Sequence, residues 1–184
     1  MRTFLLLFSL LHFNSVFSDS PAIPRPLVIT SFYGQHYFKM IPAKYNYKNS
    51  ERTIKKPAFG IAYSIDDEGV DKELWRVKGW YSFQTFLSKN GQFLVRMGNW
   101  AEGCGTTEED LGIAFYSNGN LIKQYSTKDL IKNSKNVECT ISHYFWRSNK
   151  EGSLHLSYYD QFHLKTIEGT EYIFDIETGK ILKP

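Results

Sequence analysis

Short turn-forming pairs stand between runs of alternating hydrophobicity along most of this chain, and they constrain its fold more than any other feature. Asn90-Gly91 in FLSKNGQFLV and Asn118-Gly119 in AFYSNGNLIK supply residues that accept positive φ, as two-residue hairpin turns require. Glu168-Gly169 in KTIEGTEYIF and Thr178-Gly179 in DIETGKIL repeat the pattern with weaker turn formers. The flanking runs alternate with the two-residue period of a strand: Phe93, Val95 and Met97 against Gln92, Leu94 and Arg96; Leu111, Ile113 and Phe115 against Gly112, Ala114 and Tyr116. Leu154, Leu156 and Tyr158, and Tyr172, Phe174 and Ile176, alternate in the same way. Strands joined by tight turns pair antiparallel, so the chain is expected to be all-β, a meander of hairpins with one face of each strand in the core. One short helix is expected near 127–132, where Ser126 and Asp129 stand three apart as in a capping box ahead of Leu130 and Ile131.

The N-terminus has a different character. MRTFLLLFSLLHFNSVFS carries an early cation, an apolar stretch from Phe4 to Leu11, and Val16 and Ser18 where a signal peptidase reads small residues. Residues 1–18 are therefore expected to be a signal peptide cleaved after Ser18, leaving a secreted or periplasmic protein. The apolar run is shorter than the roughly 20 residues a spanning helix needs, so no stable membrane span is expected after cleavage. The prolines Pro21, Pro24 and Pro26 make 19–27 an extended leader, and 28–184 a single β-rich domain. Loss of Arg2 lowers the formal charge from +3 to about +2, a balance that predicts no nucleic-acid partner. The densest basic stretch, KYNYKNSERTIKK, is too short to supply many phosphate contacts and reads as a solvated loop.

FLSKNGQFLVRM, AFYSNGNLIKQY and YIFDIETGKIL each pair a strand, a turn and a second strand. They resemble the hairpins of β-propeller blades, and YIFDIETGKIL looks like the last hairpin of a quinoprotein-type blade. On that resemblance, residues 28–80, 83–131 and 140–182 are three blade-like units. Three are fewer than the four to eight blades that close a propeller, so the alternatives are a propeller-blade-like stack or an irregular sandwich or barrel. The run of WYSFQTFLSKNG, LVRMGNW, IAFYSNGNLIKQYSTKDL and SHYFW also resembles a family of secreted bacterial proteins of undefined function. That resemblance implies export and a compact β-domain, and it brings no catalytic residues.

Cys104 and Cys139 are the two cysteines, and in an oxidising compartment an even pair is expected to be bridged. The alternative makes Cys104, between Gly103 and Gly105, a hydrolase-like nucleophile with His143 as base. Glu102, Glu108, Glu109 and Asp110 surround it in sequence, and carboxylates raise a thiol's pKa, which opposes activation. A metal reading joins Cys104, Cys139, His143 and His155, but no compact ligand spacing supports it. His155 and His163 read as surface histidines, and His36 in YGQHYF has no partner visible in sequence. The acidic SIDDEGVDKE does not have the ligand order of a calcium loop and reads as a solvated hairpin loop. No catalytic residue, metal or cofactor is assigned.

Aromatic residues remain. In TISHYFW, Ile141, His143 and Phe145 share one face and leave Tyr144 and Trp146 on the other. Tyr81, Trp100, Tyr144 and Trp146 are the candidate contact surface, because Trp and Tyr are favoured at binding hot spots; the alternative is a two-sided core between packed sheets, which would bury both sets of rings. The leading expectation is thus a secreted or periplasmic module that binds a protein or small ligand without catalysis. The alternatives are a hydrolase-like enzyme using Cys104 or the histidines, and a structural envelope component.

Overall fold

The computed structural model describes residues 21–184, so the expected signal peptide lies outside the described residues. From Pro21 to Pro26 the leader is exposed and has no regular structure. β1 (Leu27–Thr30) and β2 (His36–Ile41) follow, then a two-stranded ribbon of β3 (Lys44–Lys48) and β4 (Glu51–Lys56), then β5 (Phe59–Ile65) and β6 (Asp71–Lys78). β1, β2, β5 and β6 hydrogen-bond in that order as the first four-stranded antiparallel sheet. β7 (Thr85–Leu87), β8 (Phe93–Met97), β9 (Leu111–Ser117) and β10 (Asn120–Ser126) form the second. A two-stranded pair, β11 (Glu138–Cys139) and β12 (Tyr144–Phe145), leads to the third sheet, made of β13 (Leu154–Leu156), β14 (Gln161–Lys165), β15 (Glu171–Asp175) and β16 (Ile181–Lys183). The protein is all-β, with three four-stranded meanders in chain order.

The only α-helix among the described residues is α1 (Thr127–Leu130), where the sequence places it. Ser126 Oγ accepts from the Asp129 backbone N–H at 3.1 Å, and the Asp129 carboxylate accepts from the Ser126 N–H at 2.8 Å. Both halves of the capping box are made, so the first turn is held although the helix is short.

The sheets stack as layers rather than closing into one barrel. Between the first and second sheets lie Phe38, Met40, Ala62, Trp75 and Val77 against Leu87, Leu94, Ala114 and Tyr116. Between the second and third lie Val95, Met97, Ile113 and Phe115 against Phe162, Leu164, Tyr172 and Phe174. Adjacent residues of β8 and β9 therefore enter different cores. This corrects the expectation of one core face per strand: Leu94 and Val95 are both buried, as are Ala114 and Phe115. The middle sheet is covered on both sides, as a layer between two others must be. Burial of each large side chain contributes roughly 1.5–3 kcal/mol, so the two cores dominate the stability of the stack.

Consecutive sheets also share a polar contact of the same kind. The last strand of one sheet sends a side-chain donor to a turn of the next: Trp75 Nε1 donates to Gly91 O at 2.8 Å, and Tyr125 Oη to Gly179 O at 2.9 Å. Tyr125 is partly buried, and that burial, with the nearby Asp129 carboxylate, raises its phenol above the ordinary value.

Candidate functional site

Cys104 and Cys139 are joined, with α-carbons 5.4 Å apart, which lies within the range a disulfide spans. The bond ties the loop after Trp100 to β11. Neither cysteine then offers a thiolate, to a substrate or to a metal. His143, placed beside Cys104 by the enzyme alternative, is buried at 6 % exposure. Its ring lies against Trp100, tilted by 32° with centroids 3.8 Å apart, and its Nδ1 lies 2.7 Å from Thr140 Oγ1. Those contacts hold it as part of the packing. His155 and His163 pair across β13 and β14 with rings 4.5 Å apart and nearly parallel. Partial burial and the neighbouring His155 lower the His163 imidazole below its usual value. Among the described residues, no three His, Cys, Asp or Glu side chains gather as a metal site would need.

The four aromatic candidates divide. Tyr144 is 2 % exposed and Trp146 5 %, so both belong to the core and are withdrawn from a contact surface. In TISHYFW, Ile141 and Phe145 are exposed, at 71 % and 48 %, but His143, expected on the same face, is buried, so the segment does not divide into one inner and one outer face. Tyr144 is held inside by polar as well as apolar contacts. Tyr144 Oη donates to Asp110 Oδ2 at 2.8 Å and lies 2.6 Å from Thr127 Oγ1, which anchors β12 to the helix N-terminus. Burial, reinforced by the Asp110 carboxylate, pushes the Tyr144 phenol up to about 12. Tyr81 and Trp100 are half-buried. Tyr81 Oη donates to the Arg25 carbonyl at 2.8 Å and so pins the leader to the domain, while Trp100 is engaged with His143.

Four exposed rings gather elsewhere, at the first turn of two sheets. Phe32 and Tyr33 sit between β1 and β2, and Tyr158 and Tyr159 between β13 and β14. All four are exposed, from 47 % for Tyr158 to 79 % for Tyr159. Phe32 meets Tyr158 edge-on at 5.7 Å and Tyr33 meets it at 6.2 Å. Hydrogen bonding with Tyr158 raises the Tyr33 phenol above its ordinary value. The equivalent turn of the second sheet contributes Lys89, whose ammonium lies 5.1 Å from the Tyr158 ring centre and 3.7 Å from Asp160 Oδ2. A cleft of about 260 Å³ opens beside them, floored by Ile29, Phe86 and Leu156.

The three turns are built alike. SFYGQ, SKNGQ and SYYDQ place Ser31, Ser88 and Ser157 at the start and Gly34, Gly91 and Asp160 at a positive φ of 75°, 70° and 57°. The N–H of each of these last residues donates to its serine carbonyl, at 3.0, 3.0 and 3.2 Å. Each serine Oγ accepts a backbone N–H from the returning strand, at His36, Phe93 and Gln161. Asn90 does not take positive φ. It works through its side chain, whose Oδ1 accepts from the Gln92 N–H at 3.0 Å, and the turn is longer than the two-residue form expected. The serine-to-glutamine spacing was the signal available in sequence for this site. It is obscured because glycine is replaced by aspartate in the third copy and the copies are unevenly spaced.

Compared with protein-family models and with curated proteins, the chain matches none.

Proposed function

We propose that this is an exported binding module, cleaved after Ser18 to a secreted or periplasmic form, that holds a partner against the aromatic turn cluster of Phe32, Tyr33, Tyr158 and Tyr159. The disulfide fits an oxidising compartment, and among the described residues no helix is long and apolar enough to cross a membrane. The resemblance to secreted bacterial β-proteins supports the same compartment. The observation that carries the reading is the assembly of four exposed rings from turns far apart in the chain. Tyr and Trp side chains offer large contact area at little entropic cost, and exposed rings held together rather than scattered mark contact surfaces. The repeated turn frame makes the rings a presented set, since its backbone hydrogen bonds do not depend on them.

A photo-crosslinking residue placed at Tyr33 or Tyr159 in the producing cell tests this. A discrete adduct is expected at both positions and is lost when Phe32→Ser and Tyr158→Ser are added. The same adducts from a probe at Leu182, exposed on the last strand, would sink the reading. N-terminal sequencing of the exported protein is expected to begin at Asp19.

A further inference from the structure

The KYNYKNSERTIKK stretch is not a loop but the β3–β4 ribbon. It carries Lys44, Lys48, Arg52, Lys55 and Lys56 against one carboxylate, Glu51. That is a formal +4 within a chain whose total is +3, leaving −1 for all other residues. The positive field of the protein is therefore concentrated on one projection. Every residue of β4 is exposed, and in β3 only Tyr45 is half-buried. A two-stranded ribbon this exposed gains little from packing and is marginal on its own. Lys44 also stands directly opposite Lys56 in the register, and like charges so placed repel. The ribbon is thus maintained against a local electrostatic cost, which an anionic surface would relieve.

The ribbon has a second chemical character. Tyr45 pairs with Ile54 and Tyr47 with Arg52, so one face is aromatic and aliphatic around a guanidinium, which lies 3.5 Å from the centre of the Tyr45 ring. Tyr47 is 73 % exposed and Ile54 64 %. Ile23 of the leader, at 87 %, borders the same cleft of about 390 Å³. A soluble polyanion would engage the cations and leave these apolar groups in water. A bilayer surface of anionic lipid accepts both: head groups meet lysine and arginine, rings sit at head-group depth, and aliphatic side chains enter the acyl boundary. We infer that the β3–β4 ribbon docks the protein on an anionic lipid surface, independently of the aromatic turn cluster.

Sedimentation with vesicles tests the inference, using the protein in the form its producing cell releases. Binding to mixed phosphatidylglycerol–phosphatidylcholine vesicles, weakening as salt is raised, is expected, with much weaker binding to pure phosphatidylcholine. Lys48→Gln and Lys55→Gln are each expected to lower partitioning about fivefold at low salt. Tyr47→Ser with Ile54→Ser is expected to lower it while leaving the salt dependence unchanged. These side chains lie outside both cores, and an unchanged melting temperature checks that each variant is folded. Equal binding to both vesicle types, or none to either, overturns the inference. So does binding to soluble polyglutamate as tight as to vesicles with no effect of the Tyr47 and Ile54 substitutions, which would assign the ribbon to an acidic polymer.

Discussion

Replacing Tyr144 by phenylalanine removes one oxygen from the core and tests the burial of Tyr144 in TISHYFW. That oxygen donates to Asp110 at 2.8 Å and lies 2.6 Å from Thr127 Oγ1. A hydrogen bond to a charged acceptor contributes about 1.5–3 kcal/mol and a neutral one about 0.5–1.5. Asp110 keeps its bond from Thr107 Oγ1 at 3.0 Å, so the carboxylate is not stranded. A loss of roughly 2–4 kcal/mol is expected, which at a urea slope near 2 kcal/mol/M moves the unfolding midpoint down by about 1–2 M. Tyr81→Phe is the control, because its hydroxyl bonds the exposed leader at Arg25; it is expected to cost under about 1 kcal/mol. The pH arm has a definite sign. The Tyr144 phenol is raised in the folded state to about 12, from an ordinary value near 10. Its contribution is therefore fully present below pH 10 and lost as pH rises towards 12. Other tyrosines decline there too, among them Tyr37, which burial, with Asp71 beside it, lifts to about 12. The test is the difference between wild type and Tyr144→Phe, which should narrow across that window. A midpoint unchanged by Tyr144→Phe, with no narrowing at high pH, would refute the buried assignment.

Three further outcomes follow from the same geometry. Cys104→Ser with Cys139→Ser opens a loop of sequence separation 35, and urea unfolding is expected to show a loss on the order of 3–4 kcal/mol; a loss below about 1 kcal/mol would contradict loop closure as its source. Gly91→Ala is expected to destabilise far more than Gly34→Ala. Both have positive φ, but an added Cβ at Gly91 would meet the His36 ring at 2.5 Å, whereas at Gly34 it meets open space; equal melting temperatures for the two variants would count against the packed turn. Glu168 loses some solvation, but the N–H groups of Lys132 and Asn133 and the Asn136 amide outweigh that and hold its carboxyl below the usual value. Its contribution is present above the unfolded pKa and is lost as pH falls through the folded one, so Glu168→Gln should flatten the acid limb of a stability–pH profile, and an unaltered limb would refute this.

The features legible before any fold is known are those that depend on neighbours along the chain. Asn118-Gly119 closes a hairpin because both residues accept positive φ, here 46° and 80°, and Ser126 caps α1 because Asp129 is within reach. Antiparallel pairing followed from such turns, and hence the all-β class. The Cys104–Cys139 bond is the one expected of an even cysteine pair in a chain read as exported. What covers each face depends instead on elements distant in the chain. A two-residue period separates Leu94 from Val95 and Tyr144 from Phe145, but it is the same period whether one face is buried or both. Burial of Leu94 required the first sheet and burial of Val95 the third, and neither is near β8 in sequence. Exposure has the same dependence. Phe32 and Tyr158 are hydrophobic enough for a core, yet they stand in water because the stacking of three similar sheets brings their turns to one end. Local turns set how the chain reverses; packing between distant strands set which side chains remain exposed.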